Sequence, residues 1–466
     1  MLAVTRDNVH TTPGPTTMYQ ITSSNTDGEL SDQDLLNLVN YFEVSRVELK
    51  NRVDSLLAQP ILQAKQTDLQ APKLFEDDYI KTLGNSLSLK LYSQGDPITL
   101  ATASTLRLLA NNTTIHSFSQ TWLSAKFSFR DYTNPLSYGL IADRTGARGL
   151  ILCVQAFVLR HLLLKNALSV DQNQSITINV ESRTEALVDS LTEILWQAGE
   201  YRGATVCIPY AGDACFTNHG EHYVSDGITE RLHMFEFVDL GKLRSFIIKC
   251  LPYFMKEHGV IIFLYSLMLS RTLKKLIDDL DHVRLVGERD ESTIEMITLA
   301  LTGRALHYLH NGIIDVDSNG NLMEKPQYGV KNRSPVGFLY CSKYDEDSFW
   351  HKQEIGSMLR TPKVPVWLIC LNRRYGIIFS TNVNLLNNWI YENYFQLHIY
   401  SGLKKQENSC IVSIDTRQQY PASIYGDLFE ENDHRIPDII QLLQTRWPGC
   451  IIENIEDILH ELMIIF

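Results

Sequence analysis

The chain has 466 residues, 44% of them hydrophobic and 10% aromatic, which is enough apolar material for one large core or two ordinary ones. Its formal net charge is −12 and no block of Lys or Arg stands out, so neither a nucleic-acid backbone nor an anionic membrane is the expected partner; a neutral or basic protein is. The leading MLAVTRD lacks an apolar signal core and no run reaches the roughly 20 apolar residues of a membrane span, so a cytoplasmic or nuclear location is expected.

Residues 1–30 are rich in Thr, Ser, Pro and Gly without apolar period and read as a flexible, disordered tail. Ser31 and Asp34 resemble a capping box. From there Leu35, Val39, Phe42, Leu49, Val53 and Leu56 recur at helical spacing, so 31–74 reads as an amphipathic helix and linker. The remainder, 75–466, is dense in structure. Gly149 to about Leu164 is apolar almost all round, which predicts a buried central helix. Further helices are expected at Ser182–Gly199, Leu240–Met255 and Ser292–His310. From Pro335 to Ile411 the runs GFLYC, VPVWLICL, YGIIFS and YFQLHIYSG are β-branched or aromatic and bounded by turns, and predict a sheet. Helices first and strands later argue for the α+β class. Eight cysteines are scattered without C-x-x-C pairs, several in apolar strings, and are expected to be reduced and mostly buried.

Candidate chemical motifs fail on spacing. CFTNHGEH gathers Cys215, His219 and His222, but no fourth zinc ligand follows, so it reads as a polar loop. DVDSNGN sets Asp315, Asp317, Asn319 and Gly320 as in a calcium loop, yet the twelfth position, which requires a bidentate Glu, is Pro326; a hairpin turn on Asn-Gly accounts for the same letters. Ser401 and Lys404 match Ser-x-x-Lys without the companion motifs of that enzyme class. His307 and His310 lie on one face of a predicted helix end, where dipole-complementing histidines are ordinary. No cofactor and no metal is expected.

LSYGLIADRTGARGLILCVQAF resembles the active-site segment of the MINDY deubiquitinases, which carries Y-G-[IL]-x-Q-x-x-G-G-P-C-G-x-L-x-x-V-Q-A; Tyr138, Gly139, Gly146, Gly149, Val154, Gln155 and Ala156 fit. QEIGSMLRTPKVPVWLICLNRRYGIIFS resembles a second family block through Gly356, Leu359, Thr361, Pro362, Pro365, Trp367 and Cys370, and FQLHIYSGL and TRWPGC resemble later ones. The closest branch is the four/four-B members. The resemblance implies a papain-like, cysteine-protease-type α+β fold over about 75–466, with ubiquitin or lysine-48-linked polyubiquitin as partner.

Three positions depart from the pattern. The family's nucleophilic cysteine falls on Arg148, its general-base histidine on Arg374 and its oxyanion-hole glutamine on Ala142. A guanidinium supplies neither nucleophile nor base. Cys153 lies more than a turn into the helix, in an apolar neighbourhood that keeps a thiol inert. The expectation is therefore a catalytically inactive homologue, not an enzyme but a pseudoenzyme that at most binds ubiquitin. The alternatives are an active cysteine deubiquitinase with a non-standard thiol, or an interaction scaffold without ubiquitin binding. Two guanidiniums in one cleft call for an anion. Asp143, Glu354 or another carboxylate is the plain candidate; the sharper one is ubiquitin's C-terminal carboxylate, held by Arg148 and Arg374.

Overall fold

The computed structural model describes residues 95–165, 168–170, 176–216, 223–280, 284–317, 319–341, 355–417 and 436–453. The expected tail and N-terminal amphipathic helix lie outside these residues, as do His219, His222 and Glu354. The chain clusters into two units, Met1–Gln63 and Ala64–Phe466, and every described residue belongs to the second.

The first part is helical around a small sheet. A short strand β1 (Asp96–Pro97) leads into helix α1 (Leu100–Asn111), capped by the Thr99 hydroxyl, and then a single turn, α2 (Gln120–Leu123). Helix α3 (Arg148–Leu164) follows, and 14 of its 17 residues are buried, so it is the central helix its all-round apolarity predicts. After a minimal hairpin, β2 (Ser169–Val170) with β3 (Ile176–Thr177), helix α4 (Val180–Ala198) packs along α3. Strands β4 (Ala204–Pro209) and β5 (Leu232–Phe237) join β1 in a three-stranded sheet of order β1-β5-β4. Helices α5 (Leu240–Phe254) and α6 (Gly259–Arg271) cover it, α6 lying directly on β4, and helix α7 (Leu273–Leu280) packs against α6 and α1.

Two differences from the sequence reading have physical causes. Helix α6 was not anticipated; GVIIFLYSLMLSR is so uniformly apolar that it offers no period to distinguish helix from buried strand. Helix α8 (Ile294–Thr302) starts where expected, with the Thr293 hydroxyl accepting from Met296 N–H, but ends eight residues before His310. Gly303 at φ +79° terminates it, its N–H bonded back to Leu299.

Past α8 the chain forms an isolated hairpin, β6 (Ile313–Val316) and β7 (Leu322–Tyr328), at the Asn-Gly turn anticipated there. Strand β8 (Gly337–Cys341) and the turn α9 (Ser357–Arg360) then lead to a run of strands: β9 (Val366–Leu371), β10 (Arg374–Phe379), β11 (Tyr394–Tyr400) and β12 (Cys410–Asp415). Helix α10 (Ile436–Gln444) and strand β13 (Ile451–Glu453) close the described chain. The sheet is β13-β12-β11-β10-β9-β8, antiparallel except for the β8–β9 pair. Strands β9 and β10 are apolar without alternation because both faces are covered: α3 packs against both strands, and α10 against β8 and β9. Trp367 and Trp447 meet edge-on at 5.3 Å in the core of this half. The architecture is the expected α+β class. Among the described residues no helix is long and apolar enough to cross a membrane.

Candidate functional site

The head of α3 is built by close backbone approaches. Gly146 sits at φ +69°, and a Cβ there would come within 2.7 Å of the Thr121 hydroxyl. One residue into the helix, a Cβ on Gly149 would come within 2.7 Å of the Ser292 Cβ. Further down the helix Gln155 is buried and stitches α3 to the preceding segment: its Oε1 accepts from Leu140 N–H at 2.7 Å and its Nε2 donates to Tyr138 O at 3.1 Å. The Tyr400 hydroxyl donates to Leu140 O at 2.7 Å, and its ring fills the space a side chain at Gly139 would need. Gly139, Gly146, Gly149 and Gln155 of the first motif thus each have a packing reason in this chain.

Arg148 opens the helix and is 4% exposed. Its Nε and Nη2 both donate to the Tyr375 carbonyl, at 2.9 and 2.7 Å, and its Nη1 makes only a long 3.5 Å contact to Asp143 O. Tyr375 is itself held, its hydroxyl donating to Ser292 O at 2.9 Å. Its described partners are therefore carbonyl dipoles rather than the carboxylate expected of Asp143; Glu354 lies outside the described residues. Burial lowers the Arg148 pKa to about 10, helped by repulsion from Arg144 and Arg374. It remains a cation at neutral pH.

Arg374 lies at the exposed start of β10, beside a two-residue turn in which Asn372 (φ +49°) and Arg373 (φ +64°) are both left-handed, the geometry of a tight hairpin turn. Ala142 is buried, donates its N–H to Gly402 O at 2.9 Å and packs on Gly402, whose φ of +76° is one that side-chain-bearing residues rarely adopt. The structure thus brings Arg148 and Arg374 within electrostatic reach of each other, while Ala142 contributes backbone and a methyl group.

A pocket of about 490 Å³ lies over the helix head, lined by Thr121, Lys126, Asp143, Thr145, Arg148 and Lys404 among others. Lys126, Tyr375 and Ser292 were not singled out from sequence, and Lys404 only within a Ser-x-x-Lys spacing that was set aside for want of companion motifs. Lys126 stands in an unremarkable context, and the Tyr375 contact with Arg148 runs through a carbonyl, which every residue has. Cys153 is fully buried, and burial pushes its thiol far up, out of the range of a reactive thiolate. Ser401, by contrast with a nucleophile, is buried and donates to Gln406 Oε1 at 2.8 Å. His307 Nδ1 meets Glu295 Oε1 at 3.0 Å.

Comparison with known proteins places this geometry. The family description "Deubiquitinating enzyme MINDY-3/4, conserved domain" matches residues 107–455. "Probable ubiquitin carboxyl-terminal hydrolase MINDY-4" of Mus musculus is 30% identical over 366 residues, covering 78% of this chain and 47% of that protein. The Homo sapiens protein of that name is 29% identical over 366 residues, 78% and 46% of the two chains. "Ubiquitin carboxyl-terminal hydrolase MINDY-3" of Bos taurus is 24% identical over 273 residues, 52% and 56%. The chain spans about half the length of the curated relatives it matches. No solved structure matches it. These matches correct the expectation that the chain is not an enzyme: the family is one of deubiquitinating enzymes and the relatives are named as hydrolases. Arginine at 148 changes which atoms stand at one helix head, and that alone does not set the class of the protein. From residue 107 to residue 455, this chain belongs to the MINDY-3/4 deubiquitinase family.

Proposed function

We propose that this chain acts on ubiquitin, taking the C-terminal tail of ubiquitin, in lysine-48-linked chains above all, into the groove over the head of α3. Cytoplasmic or nuclear residence belongs to the same reading. The observation that supports it best is that Lys126, Arg148 and Lys404 outnumber Asp143 and Glu257 in the lining of that groove, inside a domain of the deubiquitinase family. Lys126, Lys404 and the Nη1 edge of Arg148 border the pocket, and Arg374 stands near Arg148 on the adjoining strand. A carboxylate entering there gains charge-assisted hydrogen bonds. Arg148 stays clasped by Tyr375, so Nη1 is its share of the contact.

A hydrolytic step has to draw its nucleophile from a residue other than 148, because a guanidinium has no lone pair to give. Cys215 and Cys341 are the described thiols that are not buried. A ubiquitin probe with a thiol-reactive C-terminus, followed by peptide mapping, reports which thiol meets the tail. Cys153 is predicted to stay unmodified. For binding, Arg374→Glu is predicted to lower affinity for lysine-48-linked chains about tenfold, some 1.4 kcal/mol. Unchanged affinity would remove Arg374 from the contact, and absence of binding by the unaltered chain would overturn the reading.

A further inference from the structure

The hairpin β6–β7 is anchored at its base, braced at its tip and largely exposed between. At the base, Gly312 N–H donates to Val330 O at 2.9 Å and Val330 N–H to His310 O at 2.8 Å, and the Arg304 guanidinium lies 5.5 Å over the Tyr328 ring. At the tip, Asp317 Oδ1 accepts from the N–H groups of Asn319 and Asn321, each at 2.8 Å, and Gly320 takes φ +83°. Between them Ile313, Ile314, Val316, Leu322 and Tyr328 are each at least 40% exposed, Leu322 as much as 82%. Ile313 and Ile314 are neighbours on one strand and so point to opposite faces, which means that both faces of the ribbon leave apolar side chains exposed. A two-stranded hairpin is marginal alone, and apolar side chains gathered on one mark an interaction surface. Its charged residues are Asp315, Asp317 and Glu324 against Lys325, an acidic border.

We propose that this hairpin is a docking arm for one ubiquitin unit of a chain, meeting a partner face that is apolar and bordered by basic side chains. The proposal rests on the ubiquitin reading above. Charge decides against a second copy of this chain as the occupant, since it would set acidic border against acidic border on a molecule of net charge −12.

Calorimetric titration of the full chain with mono-ubiquitin and lysine-48-linked chains tests it, with two variants, Val316→Ser/Leu322→Ser and Glu324→Lys. The double variant is expected to weaken chain binding by about tenfold, as loss of a central apolar contact does, with an unchanged melting midpoint because both side chains are exposed. Glu324→Lys is expected to weaken binding and flatten its salt dependence. Wild-type affinity in both variants would overturn the proposal while leaving the ubiquitin reading intact. An unaltered chain that binds no ubiquitin would overturn both. A dimer in sedimentation that Val316→Ser/Leu322→Ser dissolves would reassign the arm to self-association.

Discussion

Arg148 carries two opposing contributions. A cation at the positive end of a helix costs about 0.3–1 kcal/mol, whereas hydrogen bonds from a charged donor are worth about 1.5–3 kcal/mol and the acceptor left behind is buried. The second is larger. Arg148→Met, which keeps the stem and loses the two donors to Tyr375 O, is therefore predicted to destabilise the domain by roughly 1–2 kcal/mol in chemical denaturation. His398 is buried against Phe379, ring centroids 5.1 Å apart, and burial lowers its pKa from 6.5 to about 4. Between those values the unfolded chain binds the proton and the folded one does not. Stability is thus full above about pH 6.5 and falls toward pH 4, by at most about 1.4 kcal/mol per pH unit. In His398→Phe that component of the acid dependence is predicted to vanish, as read from denaturation midpoints across the window. In native alkylation with iodoacetamide, Cys215 and Cys341 are predicted to react before Cys153, which a mass-spectrometric time course would show.

At the scale of elements, α3 is held where Gly149 lets Ser292 approach. Gly149→Ala would gain about 1 kcal/mol of helix propensity, but its Cβ meets Ser292 Cβ at 2.7 Å and Ile297 Cδ1 at 3.0 Å, and overpacking of that kind costs about 1–3 kcal/mol. A net loss of stability is predicted; a gain in melting temperature would show that the α3–α8 contact yields. What was legible in the sequence follows from the same physics. The runs behind β9 and β10 announced themselves because strands covered on both faces are continuously apolar, and α3 did so because a central helix is apolar all round. The end of α8 was missed: apolar residues such as Ala305, Leu306 and Leu309 continue past Gly303 and are buried without being helical. The position of Arg148 could be read from its flanking glycines. Its clasp could not, because the acceptor is a carbonyl 227 residues away.

Across the described residues, an acidic chain of the MINDY-3/4 deubiquitinase family presents a groove lined by Lys126, Arg148 and Lys404 together with Asp143 and Glu257, and an apolar, acid-bordered hairpin. That the chain spans about half of its curated relatives makes whether it binds ubiquitin at all the quantity to determine. The most direct measurement is calorimetric titration of the full 466-residue chain with lysine-48-linked di-ubiquitin, beside mono-ubiquitin and the Arg374→Glu variant. Saturable binding that is tighter for the linked chain and weakened by Arg374→Glu is the predicted result. No detectable binding of either ubiquitin form up to about 1 mM, an affinity poorer than roughly −4 kcal/mol, would contradict it.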